Sequence, residues 1–290
     1  MRVAIAPEVR EEFALAVMNA GAELAELDES VKGLVWTDYS RPKLLRETLD
    51  ANPQLEWVQL PFAGVDAFAD LFTRAPLFTS AKGAYSEPVA EHALALSLAL
   101  ARALPRRILA KSWGGKFAVS LYESRVLIVG SGGIAKELTK LLAPFACPVT
   151  VLGSKDIDRL HEELARADFV VLACALTERT RGLFDSIAFG SMKQTAYLVN
   201  VARGGVVNTQ ALIDALERGE IAGAGIDVTD PEPLPDGHPL WNAPNLIITP
   251  HTADTDAQVI RMFAERINQN VKAFCGSGEW VGVVDKQLGY

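Results

Sequence analysis

Short, continuously apolar runs separated by helical patterns constrain this chain more than any other feature. From residue 126 onward they read VLIVG (126–130), VTVLG (149–153), FVVLAC (169–174), YLVNVA (197–202), GAGIDV (223–228) and LIITP (246–250). A strand with one wet face alternates apolar and polar residues. A strand apolar throughout is covered on both faces, as in a parallel sheet flanked by helices. A first series precedes these, with VAIAP (3–7), GLVWT (33–37) and LEWVQL (55–60) as strands. VREEFALAVMNAG (9–21) and RPKLLRETLDAN (41–52) are the helices between them, and LFTS (77–80) leads into a long helix from about Glu87 to Leu104. At the end of the chain, Val259, Ile260, Phe263, Ile267, Val271 and Phe274 share one face of a helix running from Asp256 to about Cys275.

The expected fold is therefore α/β: two Rossmann-like, doubly wound parallel-sheet domains separated by a cleft. Residues 1–90 plus 256–290 are expected to form a discontinuous, flavodoxin-like substrate domain, and residues 91–255 a dinucleotide-binding Rossmann domain. The chain crosses between them near Glu87–Glu91 and Ala253–Ala257.

The 290 residues carry a net charge of −8, which does not attract nucleic acid or an anionic membrane. The longest apolar stretch, ALALSLALARAL (93–104), contains Arg102 and is too short to span a bilayer. The N-terminus lacks a signal-peptide pattern. Cys147, Cys174 and Cys275 are odd in number and lack metal spacing. A cytoplasmic protein with reduced thiols, no metal and no added regulatory domain is expected. A homodimer is expected as well.

The glycine loop after the strand VLIVG gives Gly130, Gly132 and Ala135 the spacing G-x-G-x-x-A. The first glycine permits the turn, the second lets the backbone approach a pyrophosphate, and the third position needs a small residue where helix meets strand. Gly133 and Ile134 open the helix, whose free amides favour an anion. The next strand should end on the residue that reads the adenosine ribose. An NAD site usually places Asp or Glu there, whereas this chain offers Ser154 and Lys155, a pair suited to a 2′-phosphate. NADP is therefore preferred over NAD. The alternatives are that Asp156 does the acidic job after a small register shift, or that Lys155 is merely solvated.

Arg203, Glu232 and His251 each fall just past a strand C-terminus, the edge where such sheets place chemistry. Hydride addition to a 2-oxo acid leaves negative charge on the carbonyl oxygen. A histidine can protonate it, a carboxylate on the other ring nitrogen would fix the tautomer, and a guanidinium can hold the substrate. The remaining histidines read differently: His92 as a core or hinge group, His161 as solvated and His238 as a loop residue.

The segment from ADFVVLACALTERTRGLF through LVNVARGGVVN and IDVTDPEPLPDGHPLWNAPNLIITPH, together with VAEHALALSLAL and PFAGVD, resembles the D-isomer-specific 2-hydroxyacid dehydrogenases. The Arg-to-Glu spacing of 29 (232 − 203) fits that pattern. The resemblance implies that Arg203, Glu232 and His251 are the catalytic set and that Asp227 lies on the nicotinamide side. It further implies that Cys174, Thr180, Val201 and Ala202 line the cofactor, and that the amides of Ala63 and Gly64 receive the substrate carboxylate. Gly204 and Gly205 are then expected to keep the backbone close to the substrate. Departures from the pattern are Ala135, the proline-free CALT, Asp254 after the histidine, and YESRV before the first nucleotide strand. The implied activity is NAD(P)-dependent reduction of a small 2-oxo acid of the glyoxylate or hydroxypyruvate type to a D-2-hydroxy acid. Two alternatives remain open: an NAD-dependent phosphoglycerate dehydrogenase-like enzyme, and a cofactor-sensing, corepressor-like binding protein.

Overall fold

A computed structural model describes residues 1–115 and 117–286. The chain divides into two compact units, one joining Met1–Tyr85 to the segment that begins at Thr255, the other Ser86–Asp254. The first unit opens with β1 (Arg2–Ala6), α1 (Glu11–Asn19), β2 (Glu23–Leu24), β3 (Gly33–Trp36), α2 (Pro42–Ala51), β4 (Trp57–Gln59) and β5 (Leu77–Thr79). Its strands form one sheet in the order β2-β1-β3-β4-β5, every pair parallel. Leu34, Trp36, Leu45, Val58, Phe68 and Phe78 lie in its core.

The second unit begins with α3 (Ser86–Ala101), which packs on α5, β9 and β10, and α4 (Leu104–Ile108). β6 (Val126–Val129), α5 (Gly133–Leu142), β7 (Val149–Leu152), α6 (Leu160–Leu164) and β8 (Phe169–Leu172) follow, then α7 (Ser186–Ser191), β9 (Tyr197–Asn200), α8 (Thr209–Glu217), β10 (Gly223–Ile226) and β11 (Leu246–Ile248). The sheet is parallel throughout, in the order β11-β10-β9-β8-β6-β7. The strand order reverses at β6, so the glycine loop leaves the sheet at its switch point, where open α/β sheets bind ligands. α3 stops short of the expected Leu104. Pro105 has no N–H to offer the Ala101 carbonyl, which instead accepts from Val119 N at 2.8 Å, and Ala103 turns left-handed (φ 52°) before α4.

The last helix among the described residues is α9 (Asp256–Phe274), started by a capping box between Thr255 and Gln258. α9 packs on α1, with Phe263 edge-on to Phe13 at 5.1 Å. Its buried face includes two polar residues that the apolar pattern could not show. Arg266 donates to the carbonyls of Ser80 (2.8 Å) and Lys82 (2.9 Å), and Asn270 to Gln59 Oε1 (2.6 Å). Burial is tolerated because each donor is met.

Candidate active site

Each strand end of the second unit carries one part of the site. After β9, the buried Asn200 side chain staples the turn. Its Oδ1 accepts from Ala202 N (3.0 Å) and its Nδ2 donates to the Arg203 carbonyl (3.2 Å). Arg203 is half-buried in extended conformation, its Nη1 donating to Ala202 O at 2.8 Å. A Cβ on Gly204 would lie 1.9 Å from the Thr229 carbonyl oxygen and 2.6 Å from Asp230 N. The glycine thus admits the backbone that follows β10. Gly205 faces the Arg181 and Leu176 side chains instead.

That admitted loop carries Glu232. Thr229 N donates to Glu232 Oε2 at 3.2 Å, and Thr209 Oγ1 secures the Asp230 carbonyl at 2.7 Å. Glu232 Oε1 lies 2.6 Å from His251 Nδ1. Burial opposes ionisation of Glu232, but the hydrogen bond and charge of His251, with Thr229 N–H and Arg203, outweigh it and hold the carboxyl below its usual range. The hydrogen bond to Glu232 raises the His251 pKa. Burial and Arg203 oppose the rise, while the charges of Glu232 and Asp227 add to it. With an ionised carboxylate on Nδ1, that nitrogen carries a proton and Nε2 is left to exchange one.

His251 follows β11 in the left-handed region, with φ 54°. Asp227, after β10, holds that turn with both its main chain and its side chain. Its carbonyl accepts from His251 N (2.8 Å), Oδ1 from Thr252 N (2.9 Å) and Oδ2 from Ala253 N (3.2 Å). Thr249 Oγ1 also donates to Oδ1, at 2.6 Å. Burial penalises the Asp227 charge, yet the bonds from His92, Thr249 and Thr252 prevail and the pKa is lowered. His92, read from sequence as a core or hinge group, places Nε2 2.9 Å from Thr249 Oγ1 and 3.4 Å from Asp227 Oδ1. Asn200, Thr249 and His92 are the site residues that sequence reasoning missed. Asn200 bonds only two and three positions ahead, whereas Thr249 finds Asp227 22 positions away and His92 finds Thr249 157 positions away, and no local pattern encodes those longer bonds.

The glycine loop fits a dinucleotide. Gly130 has φ 119°, and a Cβ there would meet the Ala173 carbonyl oxygen at 2.4 Å. Beside Gly132 lies open space, and Gly132 caps α5 without a side-chain bond, so the amides at Gly133 and Ile134 face no competing cap. Ala135 is buried where α5 meets the sheet. Ser154 and Lys155 are exposed in the turn after β7. The Asp156 carboxylate reaches back toward Gly153, as does Ser131 Oγ. Cys174 is half-buried, and burial pushes its thiol up to about 11. Thr180 uses its hydroxyl in its own turn, donating to Ala175 O (2.7 Å) and accepting from Thr177 N (2.8 Å). Val201 and Ala202 bury their side chains on opposite faces of the sheet. Ala63 and Gly64 belong to the first unit, in the loop after β4.

A parallel sheet with a glycine-cradled helix start at its switch point, and an ionisable pair beyond neighbouring strands, is the build of a nicotinamide-dependent oxidoreductase. The family model for the NAD-binding domain of D-isomer specific 2-hydroxyacid dehydrogenases matches residues 93–253, and the chain belongs to that family. It is an enzyme of NAD(P)-dependent 2-oxo acid reduction. An uncharacterized protein in the proB 3′ region of Corynebacterium melassecola is 33% identical over 100% of both chains. A glyoxylate reductase of Thermofilum pendens is 31% identical, covering 85% of this chain and 79% of the relative. A D-isomer specific 2-hydroxyacid dehydrogenase from Xanthobacter autotrophicus, crystallised with NADPH and MES, superposes with a TM-score of 0.85 at 27% identity, over 100% of this chain and 99% of that one. No helix among the described residues is long and apolar enough to cross a membrane.

Proposed function

We propose that the protein reduces glyoxylate, hydroxypyruvate or a similarly small 2-oxo acid to the D-2-hydroxy acid, with His251 as proton donor, Glu232 as its partner and Arg203 as the substrate-holding cation. The observation that carries this reading is the 2.6 Å contact between His251 Nδ1 and Glu232 Oε1. A bound nicotinamide would supply the hydride. His251, protonated on both nitrogens, delivers a proton from Nε2 to the carbonyl oxygen, and Glu232 stabilises the charge that this imidazolium carries. Arg203 presents forked donors to the substrate carboxylate or carbonyl. On the resemblance alone, the amides of Ala63 and Gly64 in the first unit are proposed as carboxylate donors. Purified protein offered a panel of 2-oxo acids with NADPH and with NADH tests the reading. Turnover of glyoxylate or hydroxypyruvate supports it, and cofactor binding without turnover of any acid sinks it in favour of a sensing protein.

NADPH is the preferred reductant in this reading, because the first two exposed residues after β7 and Gly153 are Ser154 and Lys155, a hydroxyl and an ammonium. The opposite preference has one observation in its favour, the Asp156 carboxylate turned back toward Gly153. Ser154→Asp is expected to lower kcat/KM for NADPH by about tenfold or more while sparing NADH, since an added carboxylate repels a 2′-phosphate. Wild-type enzyme that favours NADH overturns the assignment. The free thiols of Cys147, Cys174 and Cys275 are in keeping with a cytoplasmic setting; a fluorescent fusion seen outside that compartment would refute it. A homodimer is proposed on the exposed apolar side chains Ile108, Leu109, Trp113 and Tyr122, which a second copy would cover. Sedimentation at the mass of a single chain would contradict it.

A further inference from the structure

We propose that His92 is a positioning residue for the reduction, its Nε2–H tethering the Thr249–Asp227 pair that holds the His251 turn. The inference rests on the reading of His251 as proton donor.

Proton accounting sets the direction of the tether. Asp227 is ionised and can only accept. The Thr249 hydroxyl has one hydrogen, and it goes to Asp227 Oδ1 at 2.6 Å. Toward His92, 2.9 Å away, Thr249 Oγ1 can therefore only accept, so Nε2 of His92 carries a proton and donates. The same N–H lies 3.4 Å from Asp227 Oδ1. An imidazole is unusual at this place. The buried positions of α3 are Ser, Pro, Ala and Leu, and the part-buried His92, its side chain 20% exposed, lies between the buried Ala90 and Ala93.

The tether matters because of what Asp227 holds. Residues 251, 252 and 253 hang by their amides from its carbonyl and two carboxylate oxygens. A histidine at φ 54° costs free energy that this set of bonds must offset. Without the His92 donor, Thr249 Oγ1 loses a partner and Asp227 keeps its charge on fewer bonds. The turn then loosens, and a proton donor displaced by about 1 Å costs up to roughly 100-fold in rate. The charged groups that set the ionisation of His251 are Glu232, Arg203 and Asp227, and those facing His92 are Asp227 and, through it, His251. Removing the N–H exposes more of the Asp227 charge to His251, so the alkaline limb of kcat moves to higher pH.

The test compares full-length wild type, His92→Phe, His92→Gln and Thr249→Val in glyoxylate reduction with NADPH, alongside His251→Ala. His92→Phe is expected to lose about tenfold or more in kcat with KM for glyoxylate changed by under about threefold, and to shift the limb upward. Gln offers an amide N–H and is expected to restore most of kcat. Combining His92→Phe with Thr249→Val should be no worse than the poorer single variant, because both cut one chain of bonds. A His92→Phe enzyme within twofold of wild type with an unmoved limb overturns the proposal, as does a Gln variant as damaged as Phe. If His92→Phe does not fold, Thr249→Val decides by the same limb. His251→Ala separates the two readings: full activity in that variant removes His251 as proton donor, whereas a normal His92→Phe beside an inactive His251→Ala removes only the His92 proposal.

Discussion

Asp227 and Glu232 lie five positions apart (232 − 227) after the same strand, yet their surroundings make them different instruments. Asp227 is 2% exposed and receives Thr249 O–H, Thr252 N–H and Ala253 N–H, with His92 close by. The Glu232 side chain is 40% exposed and its main partner, His251, is 47% exposed. A buried carboxylate that accepts three hydrogen bonds is a fixed part of the frame, because a change of protonation would disturb several of them. A carboxylate at the surface of the site, with one short bond to an imidazole, can follow a proton as it comes and goes. One strand end thus supplies both the clamp that orients His251 and the partner that tunes it.

The largest expected effect falls on the tuned group. His251→Ala should lower kcat in the reduction of glyoxylate by about 10²–10⁴, the usual contribution of a positioned general acid, with the melting temperature little changed because the imidazole is half-exposed. Retention of most of kcat would dissolve the contrast from the catalytic side. Next comes the clamp. Asp227→Asn puts a second donor against Ala253 N–H in a buried place and should cost about 1–3 kcal/mol, read as a fall of several degrees in thermal unfolding. Glu232→Gln should melt close to wild type. Equal melting of Asp227→Asn and Glu232→Gln would show that burial does not separate the two carboxylates.

The contrast was only half visible in sequence. The strands were legible because a parallel sheet buries both faces and leaves apolar runs such as VLIV and FVVL. Arg203, Glu232 and His251 could be proposed from sequence because each follows a strand end with a residue type that fits the chemistry, and the structure pairs two of them, Glu232 and His251. What makes Asp227 a clamp was not, since it depends on Thr249 and His92, whose relation to Asp227 exists only once β10, β11 and α3 are assembled. Gly204 shows the same limit. Its place beside Arg203 invited a substrate role, while the Thr229 carbonyl that excludes a side chain there lies 25 residues on (229 − 204). Arg266 and Asn270 on α9 and the break after Ala101 likewise follow from carbonyls that need donors, a demand that hydrophobic periodicity does not record.

The central claim is that Glu232 holds His251 as the acid of the reduction, and the pH dependence of kcat/KM tests it most directly. The Glu232 bond raises the His251 pKa, so the protonated acid survives to higher pH than for a free histidine, and activity is full below that pKa and fades as pH rises through it. Glu232→Gln removes the charge and most of that rise. The account predicts that the alkaline limb of the variant lies at lower pH than that of wild type, with activity partly recovered in more acidic buffer. A limb at the same pH in both enzymes would contradict it.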